Sequence, residues 1–203
     1  MDAFEFVVAA ILERHGFWTR TSVMVELTKE EKRKIGRHSS PRWELDVVAY
    51  SGARNELRVV ECKSYLDSRG VHHSAFDGSN AAFAKRFKLF HEATLRKLVL
   101  RKLTAQLVKA GFCARRPRVK LCLAAGKVNG DEQWIHRHFA RHGWVFYGPE
   151  FIREEIRELR DIGYENSVAA VVTKLLLRPS TPANIGGRVR SADERIAFIR
   201  RRE

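Results

Sequence analysis

Leu57-Arg-Val-Val-Glu-Cys-Lys-Ser64 is the stretch on which the reading of this chain turns. It is short, β-branched and mostly apolar, which predicts a strand, yet near its end it carries an acid and a base two residues apart. Side chains alternate across a strand, so Leu57, Val59, Glu61 and Lys63 share one face while Val60 and Cys62 share the other. A carboxylate and an ammonium therefore leave the strand side by side. Upstream, Glu44-Leu-Asp-Val-Val-Ala-Tyr50 offers a second strand, with Asp46 expected on the face opposite Leu45, Val47 and Ala49. Pairing of the two through a turn from Gly52 to Glu56 brings Asp46 and Glu61 to one site.

Outward from this hairpin the pattern stays mixed. Residues 2 to 15 read as a helix, because Phe4, Val7, Val8, Ile11 and Leu12 fall on one face and Gly16 follows as a C-cap; Glu5 lies beside that face. Thr21 to Leu27 alternates as a first strand, and the polar run Thr28 to Pro41 reads as a long basic loop. After the hairpin, Tyr65 to Ser79 has the composition of an irregular loop. Ala81 to Ala110 has helical periodicity, with a break expected near Ala93 or Thr94 because thirty residues is long for a globular helix. A strand at Val119 to Ala125, a helix at Asp131 to His142, a strand at Trp144 to Tyr147 and helices at Pro149 to Asp161 and Tyr164 to Leu177 complete the body. This order predicts an α/β fold: a mixed sheet of about five strands flanked by helices, whose first three strands form an antiparallel meander and whose later strands join through helical crossovers.

Residues 1–177 are expected to form one domain. Pro179, Pro182, Gly186 and Gly187 mark residues 178–203 as a basic flexible tail, in which Ser191-Ala-Asp-Glu194 matches a capping box for a short helix ahead of Ile196, Phe198 and Ile199. The formal net charge of the 203 residues is +14; the tail, with seven Arg and three acids, supplies +4, so +10 resides in the body. A basic body favours a polyanionic partner, DNA or RNA. Cys62, Cys113 and Cys122 are odd in number and lack CxxC spacing, and the chain opens without a basic-then-apolar signal, so a reduced, cytoplasmic setting is expected. Apolar runs are too short for a membrane span, and the composition is that of a folded protein.

Two carboxylates and a lysine converging at the end of a sheet suit a hard divalent cation. Mg²⁺ takes oxygen ligands and keeps several waters, so Asp46, Glu61 and the backbone carbonyl of Cys62 can hold it with positions left for phosphate and water. Lys63 would orient that water or stabilise developing negative charge. The plain alternative for the three side chains is an exposed ion-pair ladder.

At these residues the sequence resembles the PD-(D/E)XK nuclease superfamily, the restriction-endonuclease-like fold. The resemblance rests on Trp43-Glu-Leu-Asp46-Val-Val-Ala, on Val59-Val-Glu61-Cys-Lys63, and on Phe4-Glu5, the apolar helix and Gly16-Phe17, the last similar to the opening of Mrr-type restriction enzymes and archaeal Holliday-junction resolvases. It covers roughly residues 3 to 125. It implies that Asp46 and Glu61 are metal-binding acids, Lys63 the catalytic lysine and Glu5 an accessory acid reaching the metal through water. It further implies an Mg²⁺-dependent DNA endonuclease, Mn²⁺ being able to substitute, in restriction, phage defence or repair, acting as a homodimer or with a partner subunit. The sequence departs from the pattern with Leu45 before Asp46, where many members carry Pro, and with Ala110 where the RecB-like branch would pair Tyr with Gln106. Two other readings stand beside it: a junction resolvase, and a nucleic-acid-binding module that keeps the fold without cutting. A third, a protein adaptor working through the basic tail, is also open.

Further residues attract notice. Lys32, Arg33, Lys34, Arg37, Lys85 and Arg86 are candidates for phosphate contact. Glu44 is expected at the surface or behind Asp46, and Cys62 in the core. His72 and His73 follow the acid-bearing strand and are candidates for substrate contact or proton transfer. His136, His138 and His142 lack the Cys, Asp or Glu that a zinc set requires and read as a basic helix face. Trp134 and Trp144 read as core.

Overall fold

The computed structural model describes residues 2–36, 42–161 and 167–177. Arg37, the tail 178–203 with its expected helix at Ser191, and the first residues of the helix expected from Tyr164 lie outside the described residues.

The meander forms because three alternating runs follow one another along the chain, the second and third joined by a tight, polar turn. β1 (Trp18–Glu26) pairs antiparallel with β2 (Arg42–Ser51), which pairs antiparallel with β3 (Glu56–Lys63). Between β2 and β3 the turn runs over residues 52–55 and closes with Asn55 in the left-handed region (φ 44°), a conformation that asparagine tolerates better than most residues. The chain then crosses over, and β5 (Arg118–Ala125) lies parallel to β3, with β7 (Val145–Tyr147) parallel to β5 beyond it. The resulting order is β1-β2-β3-β5-β7, the five-stranded mixed sheet flanked by helices that the sequence predicts. A second, two-stranded parallel sheet joins β4 (Val71–His72) to β6 (Val128–Asn129) beside the ends of β3 and β5.

Alternation along the strands divides the core in two. Val47, Ala49, Val60, Cys122, Ala124 and Tyr147 pack with α1 (Ala3–Arg14) and Ile152, while Leu57, Val59, Leu121, Leu123 and Phe146 pack with helices on the opposite face. Asp2 caps α1 by accepting from the Phe4 N–H, and Gly16 ends it at φ 76°.

Two expectations need correction. The run Thr28 to Pro41 is not all loop: it opens with a short helix, α2 (Lys29–Lys34), started by a capping box in which Thr28 and Glu31 satisfy each other's backbone N–H groups. Glu31 then pairs with Lys102 at 2.9 Å, which pins α2 to the long helix behind it. The stretch Ala81 to Ala110 is three helices, α3 (Ala81–Ala84), α4 (Lys88–His91) and α5 (Ala93–Lys109). The break at Ala93 falls as expected; the one around Phe87 follows from packing, because Phe76 holds the rings of both Phe87 and Phe90 at centroid distances of 4.8 and 5.9 Å. Tertiary contact overrides helical propensity there. Further along lie α6 (Glu132–Arg141), α7 (Pro149–Glu158) and α8 (Val168–Leu177). Among the described residues no helix is long and apolar enough to cross a membrane.

Candidate active site

One end of the sheet gathers the titratable side chains: the start of β2, the end of β3 and the first turn of α1. Asp46 sits where the β2–β3 ladder stops. The last paired residues are Val47 and Val60, and beyond them the Asp46 carboxylate reaches across to accept the Cys62 N–H at 2.7 Å. On the other side of Asp46, the β1–β2 ladder skips the Ser22 position, where Ser22 adopts φ 50°. A non-glycine residue in that region stores about 1 kcal/mol of strain. The strict alternation expected along β2 fails at the same point, because Leu45 packs with Val48 in one half of the core while Val47 and Ala49 lie in the other. Asp46 therefore occupies an interruption in the strand, not a regular position opposite Leu45.

Glu61 and Lys63 leave β3 on one face, as their spacing predicts, with Lys63 Nζ 2.6 Å from Glu61 Oε1. Both side chains are about one-fifth exposed (21% and 22%), which separates them from an exposed ion-pair ladder. Burial is the largest influence on Glu61 and lifts its pKa above the usual carboxylate range; Asp46 lifts it further, and Lys63 and Lys88 only partly oppose. Asp46 is raised too, mainly by burial, against the Cys62 N–H and Lys63. For Lys63 burial works toward the neutral amine, but Glu61 and Asp46 outweigh it and hold the ammonium above its ordinary pKa.

Glu5 comes to the same end from α1. It is half-buried, its Oε2 is buried without a hydrogen-bond partner, and burial followed by the charge of Asp46 raises its pKa. An orphaned carboxylate oxygen facing another carboxylate is costly unless a cation or water serves both. Gly126 sets how closely α1 and β3 approach. Its N–H donates to the Lys63 carbonyl at 3.0 Å, and a Cβ there would stand 2.5 Å from the Ser64 carbonyl oxygen and 3.3 Å from the Phe4 ring. Cys62 points to the α1 side among apolar residues and burial pushes its thiol up, so it is a core residue.

Geometry decides several other candidates. Gln106 donates to the Met24 carbonyl at 2.9 Å and ties α5 to β1, away from the acids. Glu44 is exposed, and its charge raises the Asp46 pKa. His72 Nδ1 bonds to Ser74, and His73 stacks between His72 and Trp134, tying the pair to β4 and α6. His138 and His142 lie in a ribbon of stacked rings with Trp134 and Trp144, both of which pack on the main core. Among the described residues no three His, Cys, Asp or Glu side chains close into a metal cage, so a cation at this end would rest on the Asp46 and Glu61 pair with water. Lys32 is half-buried and Arg33 and Lys34 exposed on α2, in the connection that enters β2 just before Asp46; Lys85 and Arg86 are exposed between α3 and α4. Three further residues at this end, Lys88, Tyr65 and Gly126, stand outside the strand and helix patterns that mark the acids. Lys88 acts on Glu61 and Tyr65 on Lys63; the nearness of Arg86 and Lys63 in sequence was the available signal.

Comparison with known proteins adds little. No protein-family model matches the chain, and no curated protein matches it. Among solved structures the chain is similar to the crystal structure of a protein of unknown function, AF1548, with 17% identity and a TM-score of 0.43, covering 80% of this chain and 71% of that one.

Proposed function

We propose that the chain is a metal-dependent nuclease of the PD-(D/E)XK type that hydrolyses phosphodiester bonds in DNA. The observation that carries this reading is a pair of half-buried carboxylates at one end of the sheet, Asp46 and Glu61, both lifted above their ordinary pKa values chiefly by burial, Glu61 further by Asp46, with Lys63 ion-paired to Glu61 and acting on both. Structural acids in a core are usually matched by cations; here Lys63, helped by Lys88, does not outweigh burial.

Asp46 and Glu61 with the Cys62 carbonyl would hold hydrated Mg²⁺ or Mn²⁺, Glu5 acting through water, and the bound ion supplies charge to the scissile phosphate and a more acidic water. The donor set fits: all are oxygens, two are carboxylates, and Glu5 Oε2 lacks a partner. Lys63 stays protonated near neutral pH, because Glu61 and Asp46 hold its pKa up, so its part is to stabilise negative charge on the phosphate and not to abstract a proton. The +10 of the body draws in the polyanion.

Incubation with plasmid and branched DNA in Mg²⁺, Mn²⁺ or EDTA tests this reading. Cleavage should need the metal and should vanish in Asp46→Ala and Lys63→Ala; metal-independent cleavage, or variants as active as the parent, would sink it. A second reading, a DNA-binding module that does not cut, draws on the Glu61–Lys63 contact at 2.6 Å, which engages both groups. Salt-sensitive DNA binding with no product under any metal would favour it.

A further inference from the structure

Beside the end of β3 the chain encloses two cavities that share a wall. The first, about 310 Å³, is bounded by Tyr65, Val71, Phe83 and Phe87, with Arg69 and Arg86 also lining it. The second, about 330 Å³, has Ser74, Asn80 and Asn129 on its far side. Phe83, His72 and Arg69 line both. Each volume is at the low end of small-ligand sites, which run from about 300 to 1,000 Å³, so each has room for one nucleotide and none for a duplex.

The chemistry of the lining is specific. Phe83 is half-buried, and the Arg86 guanidinium lies 5.7 Å from its ring centre, while Arg69 and Arg86 are themselves exposed. Aromatic surface beside guanidinium groups is how proteins hold single-stranded nucleic acid, the ring taking a base face and the cation a phosphate. A paired duplex keeps its bases stacked inside and presents only phosphates and groove edges, so an aromatic cavity is useless to it unless a nucleotide leaves the stack. The cavities also adjoin the acids. Tyr65 follows Lys63 by two residues and acts on its ammonium, and Arg86 precedes Lys88, whose charge acts on Glu61.

We infer that the two cavities receive unpaired nucleotides next to the scissile phosphate, and that the DNA strand acted on is single-stranded or splayed at that point, with Phe83 as the stacking wall. The inference rests on the nuclease reading for the position of the scissile bond, and its test uses binding alone. Oligonucleotides carrying 2-aminopurine, as single strand, flap and blunt duplex, are titrated with the parent protein in EDTA. Single strand and flap bind at least about tenfold tighter than duplex, with the fluorescence quenched by stacking. Phe83→Leu, which keeps apolar volume, loses the quenching and about tenfold in single-strand affinity, and Phe83→Tyr restores both. Arg86→Ala weakens all three probes and lowers the salt slope by about one. Equal affinity for duplex without quenching, or a Phe83→Leu variant with its circular dichroism and quenching unchanged, overturns the inference. Preference for unpaired strands without cleavage in any metal supports the inference and removes the nuclease reading; cleavage of continuous duplex with no such preference does the reverse.

Discussion

Two glutamates on β3, five residues apart, meet opposite fates. Glu56, at the start of the strand, is 1% exposed, and its carboxylate lies 2.8 Å from Arg58 Nε, 2.6 Å from Arg118 Nη2 and 3.9 Å from Lys120 Nζ. Burial presses its pKa upward, yet the surrounding cations win and hold it below the usual carboxylate range. Glu61, at the other end, is raised: burial is the largest influence, Asp46 adds to it, and Lys63 with Lys88 only partly opposes. Burial presses both carboxylates upward, and their neighbours decide the sign of the net shift. What separates them is the supply of cations: Arg58, Arg118 and Lys120 flank Glu56, and Lys63 alone is ion-paired with Glu61 among the described residues.

The sharpest way to break this contrast is at the under-supplied end. Asp46→Asn keeps the acceptor for the Cys62 N–H and is expected to lower DNA cleavage by at least about a hundredfold while the urea midpoint stays within the error of the parent; Lys63→Ala should lower cleavage as far, with a lower urea midpoint because it leaves Glu61 without its ion-pair partner. Glu56→Gln should do the reverse. Losing a buried, paired charge costs about 3 kcal/mol, which lowers the melting temperature by about 6 to 12 °C, and the protein that remains folded keeps its activity per molecule. If Glu56→Gln instead removed activity at full stability, the contrast would fail. A gentler probe is the metal itself: Mg²⁺ at a hundred times its dissociation constant should stabilise the parent by about 2.7 kcal/mol and leave Asp46→Asn unmoved in a thermal melt.

The smallest effect is in pH, where the two ends should carry opposite signs. Glu56 has a lowered folded pKa, so its stabilisation is present above the unfolded carboxylate range and is lost as pH falls through the folded value. Glu5 has a raised folded pKa, so its ionised form destabilises, and the penalty grows as pH rises from the unfolded value through the folded one. Urea unfolding between pH 3 and 8 should therefore show Glu5→Gln gaining on the parent toward neutral pH and Glu56→Gln closing on it in acid.

The Glu61 end was legible in the sequence because its logic is local. Asp46, Glu61 and Lys63 sit in runs of period two separated by a turn, and Glu5 in a run of period 3.6, so faces follow from spacing. The capping box at Thr28 was equally local and was overlooked among charges. The Glu56 end was only half legible: Arg58 stands two residues on along the same face, but Arg118 lies sixty-two positions away, and no strand pattern announces a partner at that separation. The interruption at Ser22 and Asp46 was hidden for a related reason, since an alternating pattern says nothing of where a ladder lapses.

Glu56 and Arg118 are also facing partners in the parallel ladder between β3 and β5. A slide of β3 by one residue against β5 would part them, and it would also turn Glu61 and Lys63 to the α1 side and send Cys62 out in their place. The ion cluster at one end thus acts as a detent for the whole strand, making the alignment that presents Glu61 and Lys63 on one face lower in energy than its nearest misalignment.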